Sequence, residues 1–314
     1  MTGSSTKLYA ILPIIAGIMW GSIGVFVRQL TAGGLDNGTI VCTRMLISAL
    51  ILGIFILIRN PQGFKVRLKD IPVLLVGGII GSSYMNIVYN LAILNVHLAL
   101  SSVLIGLFAL WAVFLGRIFF GEALTARKIC CVIIAIAGVV LVSGFFENTD
   151  MGALSLFGVA MGVLCGIMYA VCGVATRILG DRGMDPFVMN FYFFLFGSIS
   201  VLPLCHWDQV ATFVSAAPLQ GIGWLVSQSL VCAILPYVLF TIAISHMDLG
   251  IASTLELVEP AWAMFMGFLL YGENPTVLMV IGVIVVIIAV AMSFRNPKAV
   301  RETPSDPPAD PAGA

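Results

Sequence analysis

The sequence predicts an all-α integral membrane protein, with ten transmembrane helices arranged as two inverted-topology five-helix repeats. Three observations predict it. Of 314 residues, 60% are hydrophobic and 10% charged, where a soluble domain carries about 25% charged residues. The mean hydropathy is +1.10, so most of the surface must face lipid. The apolar residues fall into ten runs, and the second half of the chain echoes the first.

A spanning helix needs roughly 20 mostly apolar residues. The runs that qualify are 8–27, 39–58, 71–94, 98–119, 126–144, 154–176, 187–204, 219–245, 252–271 and 276–294. Lys7 precedes the first run, but that run is too long for a secretory signal core and has no small-x-small cleavage site, so it reads as a membrane helix. Connections such as Asn95–His97 and Gly272–Pro275 are too short to hold a soluble domain. Residues 295–314 are rich in proline and polar residues and read as a disordered cytoplasmic tail.

Basic residues set the orientation. With the N-terminus cytoplasmic, 13 of the 15 Lys and Arg fall on the cytoplasmic side, Arg28 alone falls on the other, and Arg44 lies within a span. A wrong helix count would scramble that sorting. Both termini are therefore expected in the cytoplasm, with the chain multi-pass in the cytoplasmic membrane. Net charge is zero, which gives no reason to expect a nucleic-acid partner.

The repeat is visible by direct superposition. Shifting the fourth run by 151 residues places Ser102 on Ser253, Trp111-Ala112 on Trp262-Ala263, and Gly121-Glu122 on Gly272-Glu273. Shifting the first by 149 places Gly17-Ile18-Met19-Trp20 on Gly166-Ile167-Met168-Tyr169, and Arg28 on Arg177. Two nearly equal offsets at distant places indicate duplication of a five-helix unit, with copies at 8–144 and 154–294. An odd number of spans per copy makes the copies antiparallel, an architecture common in secondary transporters.

The Trp-containing stretch Gly17–Gly24, the Gly121-Glu122 turn, Glu259-Pro260, the Gly272-Glu273 turn and Gly282 together resemble the drug/metabolite transporter superfamily, specifically its EamA-domain family with two tandem five-helix domains. The resemblance covers roughly residues 8–294. It implies a ten-helix permease or exporter for small metabolites, amino acids or drugs, with a cavity between the halves. The resemblance also places Trp20 and Tyr169 beside that cavity. Related small multidrug-resistance proteins carry a glutamate in their first helix, whereas here Leu12–Val27 holds no acid.

Ionisable groups within spans cost roughly 2.5–3.5 kcal/mol each on insertion scales, and this chain has three: Arg44, Glu256 and Glu259. Glu256 and Glu259 share a helix face, beside Pro260, which cannot donate to the helix ladder. They are candidates to bind a cationic group or to exchange a proton for it; the plain alternative is hydrogen bonding to neighbouring helix ends. Arg44 is a candidate for a substrate carboxylate or for neutralising an acid, against snorkelling to the outer interface. Asn86, Tyr89 and Asn90 form a polar stripe on the third run, and Tyr237 with Thr241 is its repeat counterpart. Cavity lining and helix–helix hydrogen bonding are the two readings of that stripe. The three histidines sit at run ends and read as interfacial residues.

The function expected is alternating-access transport of a small solute, with protons as the candidate coupling ion and a monomer or homodimer as the assembly. No cofactor is expected, and neither CxxC nor another metal-ligand spacing occurs among the seven cysteines. HExxH, paired intramembrane aspartates and the GxxxxGK[ST] loop are all missing from the sequence, which excludes the corresponding enzyme and ATPase readings. A non-transporting membrane sensor or a channel is the alternative.

Overall fold

The computed structural model describes residues 3–95, 104–142, 146, 156–272 and 275–294, and every secondary-structure element among them is helical. Among the described residues, six helices are long and apolar enough to cross a membrane: Tyr9–Ala32, Asn37–Arg59, Leu68–Tyr89, Leu156–Asp181, Pro186–Leu204 and Pro218–His246. Leu104–Phe120 and Val277–Met292 are shorter apolar helices. The chain is thus a multi-pass membrane protein.

Several predicted runs end or break differently from expectation. The first continues beyond residue 27 to Ala32 and is interrupted at Ser22, between helices Gly3–Gly21 and Ile23–Ala32. The Ser22 hydroxyl bonds back to the carbonyl of Ile18 at 3.2 Å, a local bond that competes with the helix ladder. The indole of Trp262 donates to the same hydroxyl at 2.9 Å and fixes the bend. Arg28 consequently sits within a helix, with its guanidinium 4.4 Å from the ring centre of Tyr271. The stretch 205–218, between two predicted runs, contains an additional helix at Trp207–Ala216.

Two helices carry π-helical segments, at Val76–Tyr84 and Leu230–Ile234. Each lies within a run that the repeat pairs with the other. The paired turns also match. Gly121 and Gly272 end their helices with φ of +64° and +66°, a left-handed conformation that suits glycine because it has no Cβ.

The largest apolar cluster draws on both halves of the sequence, packing Trp20, Met45 and Leu52 with Phe194, Tyr237 and Leu255. Ionic contacts also tie the halves together outside this core. Arg182 binds Asp70 at 2.7 Å. Asp36 caps the Asn37–Arg59 helix through the Thr39 amide at 2.7 Å, pairs with His206 at 2.6 Å, and accepts from Gln209 at 3.1 Å. Burial works against the Asp36 charge, but the bonds from Thr39 and Gln209 and the adjacent His206 outweigh it and hold the carboxyl below its ordinary range.

Candidate functional site

Residues 252–271, expected as one helix, form two. Leu249–Glu256 ends where Leu257 and Val258 turn, and Glu259–Tyr271 begins immediately after. The cause is local. Pro260 has no N–H to offer the carbonyl of Glu256, so the ladder fails across that step. The Leu257 amide instead reaches only to Thr254, at 3.3 Å. Glu256 therefore stands at the negative end of one half-helix and Glu259 at the positive start of the next.

The helix Gly3–Gly21 lies directly against this break. A Cβ on Gly17 would stand 2.5 Å from the Glu256 carbonyl oxygen, and one on Gly21 would stand 2.6 Å from that of Glu259. Backbone meets backbone there, and only glycine permits it. Trp20, one turn along, is thereby brought over the site.

Glu256 is fully buried. The Tyr169 hydroxyl donates to its Oε1, while Oε2 has no hydrogen-bond partner. Tyr89, Cys165 and Tyr169 lie within electrostatic reach of Glu259. Trp20 meets the rings of Tyr237 and Tyr169 edge-on, with centroids 5.2 and 6.1 Å apart. Tyr237 in turn lies within reach of both Glu256 and Arg44.

Arg44 is 4% exposed, so it points into the protein and does not snorkel outward. Its Nη2 donates to Asn86 Oδ1 at 2.7 Å, and Asn86 is held in turn by donating to the Ser82 carbonyl at 2.7 Å. The Arg44 Nε has no partner. A direct Arg44–Glu259 pair, one option open to the sequence, is not formed; none of the ion pairs among the described residues includes Arg44, Glu256 or Glu259. The structure thus gathers Trp20, Tyr89, Tyr169, Tyr237, Glu256 and Glu259, and joins Arg44 to Asn86. The side chain of Asn90 lies outside what the structure describes. Thr241, paired with Tyr237 in the sequence pattern, bonds to Asn190 at 3.0 Å and serves helix packing.

Sequence reasoning missed a second polar centre. Lys128, itself buried, binds Glu122 at 2.9 Å and Asp248 at 3.1 Å, and Glu122 Oε1 accepts from the Leu249 amide at 3.0 Å. In the sequence the Gly121-Glu122 turn carries the repeat and the family resemblance but no ionic role, and Lys128 counts only as a basic residue at a run end. Arg177, which the sequence offers only as a basic residue and the repeat counterpart of Arg28, is fully buried. It donates to the carbonyls of Ile244 and Met247, closing the end of the neighbouring helix. Among the described residues no cluster of His, Cys, Asp or Glu has the composition to hold a metal ion.

Known proteins are similar to this chain. The pseudopaline exporter CntI of Pseudomonas aeruginosa (strain UCBPP-PA14) is 26% identical over 292 residues, which is 93% of this chain and 98% of the relative. An uncharacterised transporter of Archaeoglobus fulgidus is 22% identical over 286 residues, 90% of this chain and 95% of the relative. The uncharacterised transporter YxxF of Bacillus subtilis is 24% identical over 294 residues, 90% of this chain and 88% of the relative. A solved crystal structure superposes with a TM-score of 0.73 at 15% identity, over 93% of this chain and 97% of that one; at that identity the likeness concerns the fold alone. A profile of the EamA-like transporter family matches residues 7–144 and matches again at 156–295. Two matches that together span most of the sequence bear out the family resemblance, and the chain belongs to the EamA-like transporter family.

Proposed function

We propose that the protein is a secondary transporter that moves a small solute through the bundle by alternating access, using the broken helix 249–271 as its binding element. The break carries the proposal. Discontinuous helices inside transporters turn half-helix ends and freed carbonyls toward cargo, and here two carboxylates flank the gap. Glu256 adds its charge to the negative end of a half-helix, so the site favours a cationic group or a proton. The architecture proposed is ten spans in two antiparallel five-helix domains, 8–144 and 154–294, with both termini cytoplasmic. The paired π segments and the paired left-handed glycines support that symmetry.

Protons are the proposed coupling ion, exchanged at Glu256 and Glu259. Among the described residues, Tyr89, Tyr169, Tyr237, Cys165 and Cys172 interact electrostatically with these acids, and none of these five is a cation. The name of the Pseudomonas relative, an exporter, favours outward movement of the cargo. The test is flux in proteoliposomes under an imposed pH gradient, comparing the native chain with Glu259→Gln. Gradient-driven flux should vanish in the variant while binding persists. Unchanged flux with an unchanged pH dependence would remove proton coupling from this site.

A further inference from the structure

We infer that Cys42 and Cys205 are a paired dithiol that closes to a disulfide by exchange with a thiol–disulfide carrier on the outer side of the membrane, tying the Asn37–Arg59 helix of the first half to the segment after Leu204 of the second. The chemistry rests on the contact between the two thiols. Its occurrence in the cell rests also on the orientation proposed above, which puts this end of the bundle outside, where disulfides form and persist.

The two segments are fastened to each other without any covalent bond. The Thr39 hydroxyl accepts from the His206 amide at 2.9 Å, and the Asp36 amide donates to Gln209 Oε1 at 2.9 Å. A Cβ on Gly38 would stand 2.8 Å from the Leu204 carbonyl oxygen, so the backbones themselves are close. Cys42 lies three residues beyond Thr39 on the same helix face, and Cys205 directly precedes His206. The Cys42 thiol consequently has that of Cys205 as a hydrogen-bond partner, and the Cys205 sulfur also meets the Thr39 hydroxyl. A disulfide forms without backbone rearrangement only where two side chains already converge, and these converge from opposite halves of the sequence.

The two thiols differ in what can reach them. Cys42 is fully buried, whereas Cys205 is partly exposed. Cys205 is therefore the sulfur that meets an incoming disulfide. Burial holds its thiol above the ordinary value, assisted by the Asp36 carboxylate and opposed by the hydrogen bonds from Cys42 and Thr39, so the first attack is slow. In that step the Cys205 sulfur bonds to one sulfur of the carrier disulfide. The carrier S–S bond breaks, and the departing carrier thiolate takes the Cys205 proton. The Cys42 sulfur then attacks Cys205, the mixed disulfide breaks, and the second carrier thiolate takes the Cys42 proton. Two protein thiols are oxidised and one carrier disulfide is reduced to two thiols.

The test treats the purified full chain with glutathione disulfide as the probe, alkylates the remaining thiols under denaturing conditions, and maps the peptides by mass spectrometry without reduction. Two fewer than the seven cysteines should be alkylated, and the peptides holding Cys42 and Cys205 should be joined. Cys42→Ser should instead retain glutathione at Cys205, and Cys205→Ser should leave Cys42 unmodified. A native chain that keeps all seven thiols, or that stops with glutathione on Cys205, would overturn the inference, as would one that joins either cysteine to a different partner. In cells, alkylation before lysis should find the same linked pair. After mild reduction of intact cells, a membrane-impermeant maleimide should label Cys205. A labelled Cys205 with no linked pair in untreated cells would overturn the inference. A Cys205 reached by a permeant maleimide but not by the impermeant one would overturn the orientation, and cellular oxidation with it. Proton-driven flux in proteoliposomes reports on the transport reading separately, whichever way the thiols behave.

Discussion

Lys128 and Arg44 are both buried cations of the first half, and their surroundings differ. Lys128 meets two carboxylates, one of which also caps the start of the next half's broken helix through the Leu249 amide. Arg44 meets a neutral amide and leaves part of its guanidinium unpartnered. The same contrast holds for the acids, with Glu122 doubly satisfied and Glu256 half satisfied. A charge whose partners are complete holds helices in place. A charge left incomplete inside a packed protein lowers stability, which is the pattern the transport proposal expects of a cargo site.

That comparison breaks if the two centres respond alike to substitution. The largest loss of stability is expected for Lys128→Ala, which strands Glu122 and Asp248 together; removing one partner of a buried pair costs about 3–5 kcal/mol, read as a fall in the thermal midpoint of the purified protein. Gly17→Ala is next. Its methyl would meet the Glu256 carbonyl at 2.5 Å, and overpacking of this kind costs about 1–3 kcal/mol. Flux should fall more steeply than stability, because the clash falls on the break itself. Ser22→Ala removes the acceptor of the Trp262 indole and should cost roughly 1 kcal/mol, measured in the same melts.

Glu256→Gln sharpens the comparison from the other side. It keeps an acceptor for Tyr169 and removes an unpaired charge, so the thermal midpoint should hold or rise while pH-driven flux is lost. A Glu256→Gln protein as unstable as Lys128→Ala would show that both centres are structural. The smallest effect concerns Asp36. Its folded carboxyl titrates below the ordinary value of 3.8, so the stability it contributes is fully present above that value. That stability is lost as pH falls through the lowered one. The thermal midpoint should therefore be insensitive to Asp36→Asn replacement only under strongly acidic conditions, and the native-minus-variant difference should stay constant from neutral pH down to the mildly acidic range.

The ease of reading these features from sequence follows their physics. The apolar runs were legible because lipid imposes a continuous requirement on about 20 residues at a time. Glu256, Glu259 and Arg44 were legible because charge inside such a run is expensive and must find a partner, a cavity or the interface. The division of residues 252–271 into two helices was only half legible: Pro260 announced a weakened ladder, but the close seating of Gly17 and Gly21 against the break depends on a helix more than 200 residues away. The Lys128 centre was illegible for the same reason. Its three members lie at run ends, where charge is expected to meet water, and Asp248 reaches Lys128 from 120 residues along the chain. The bend at Ser22 needed Trp262, a partner that no local pattern reveals.

The π segments at Val76–Tyr84 and Leu230–Ile234 act as phase shifts in how side chains are dealt around a helix. Each residue of an α-helix advances about 100° around the axis, so one residue absorbed into a wider turn rotates everything after it by nearly a third of a circle. Asn86 and Tyr89 follow the first segment immediately, and Tyr237 follows the second. Their facing toward Arg44 and the broken helix is thus set upstream, by how many residues the wide turn contains. Deleting a single residue from Val76–Tyr84 would leave composition and hydropathy almost unchanged, and Asn86 and Tyr89 would keep their facing only if the wide turn tightened to an α turn, as a dial keeps its reading only when the slack is taken up.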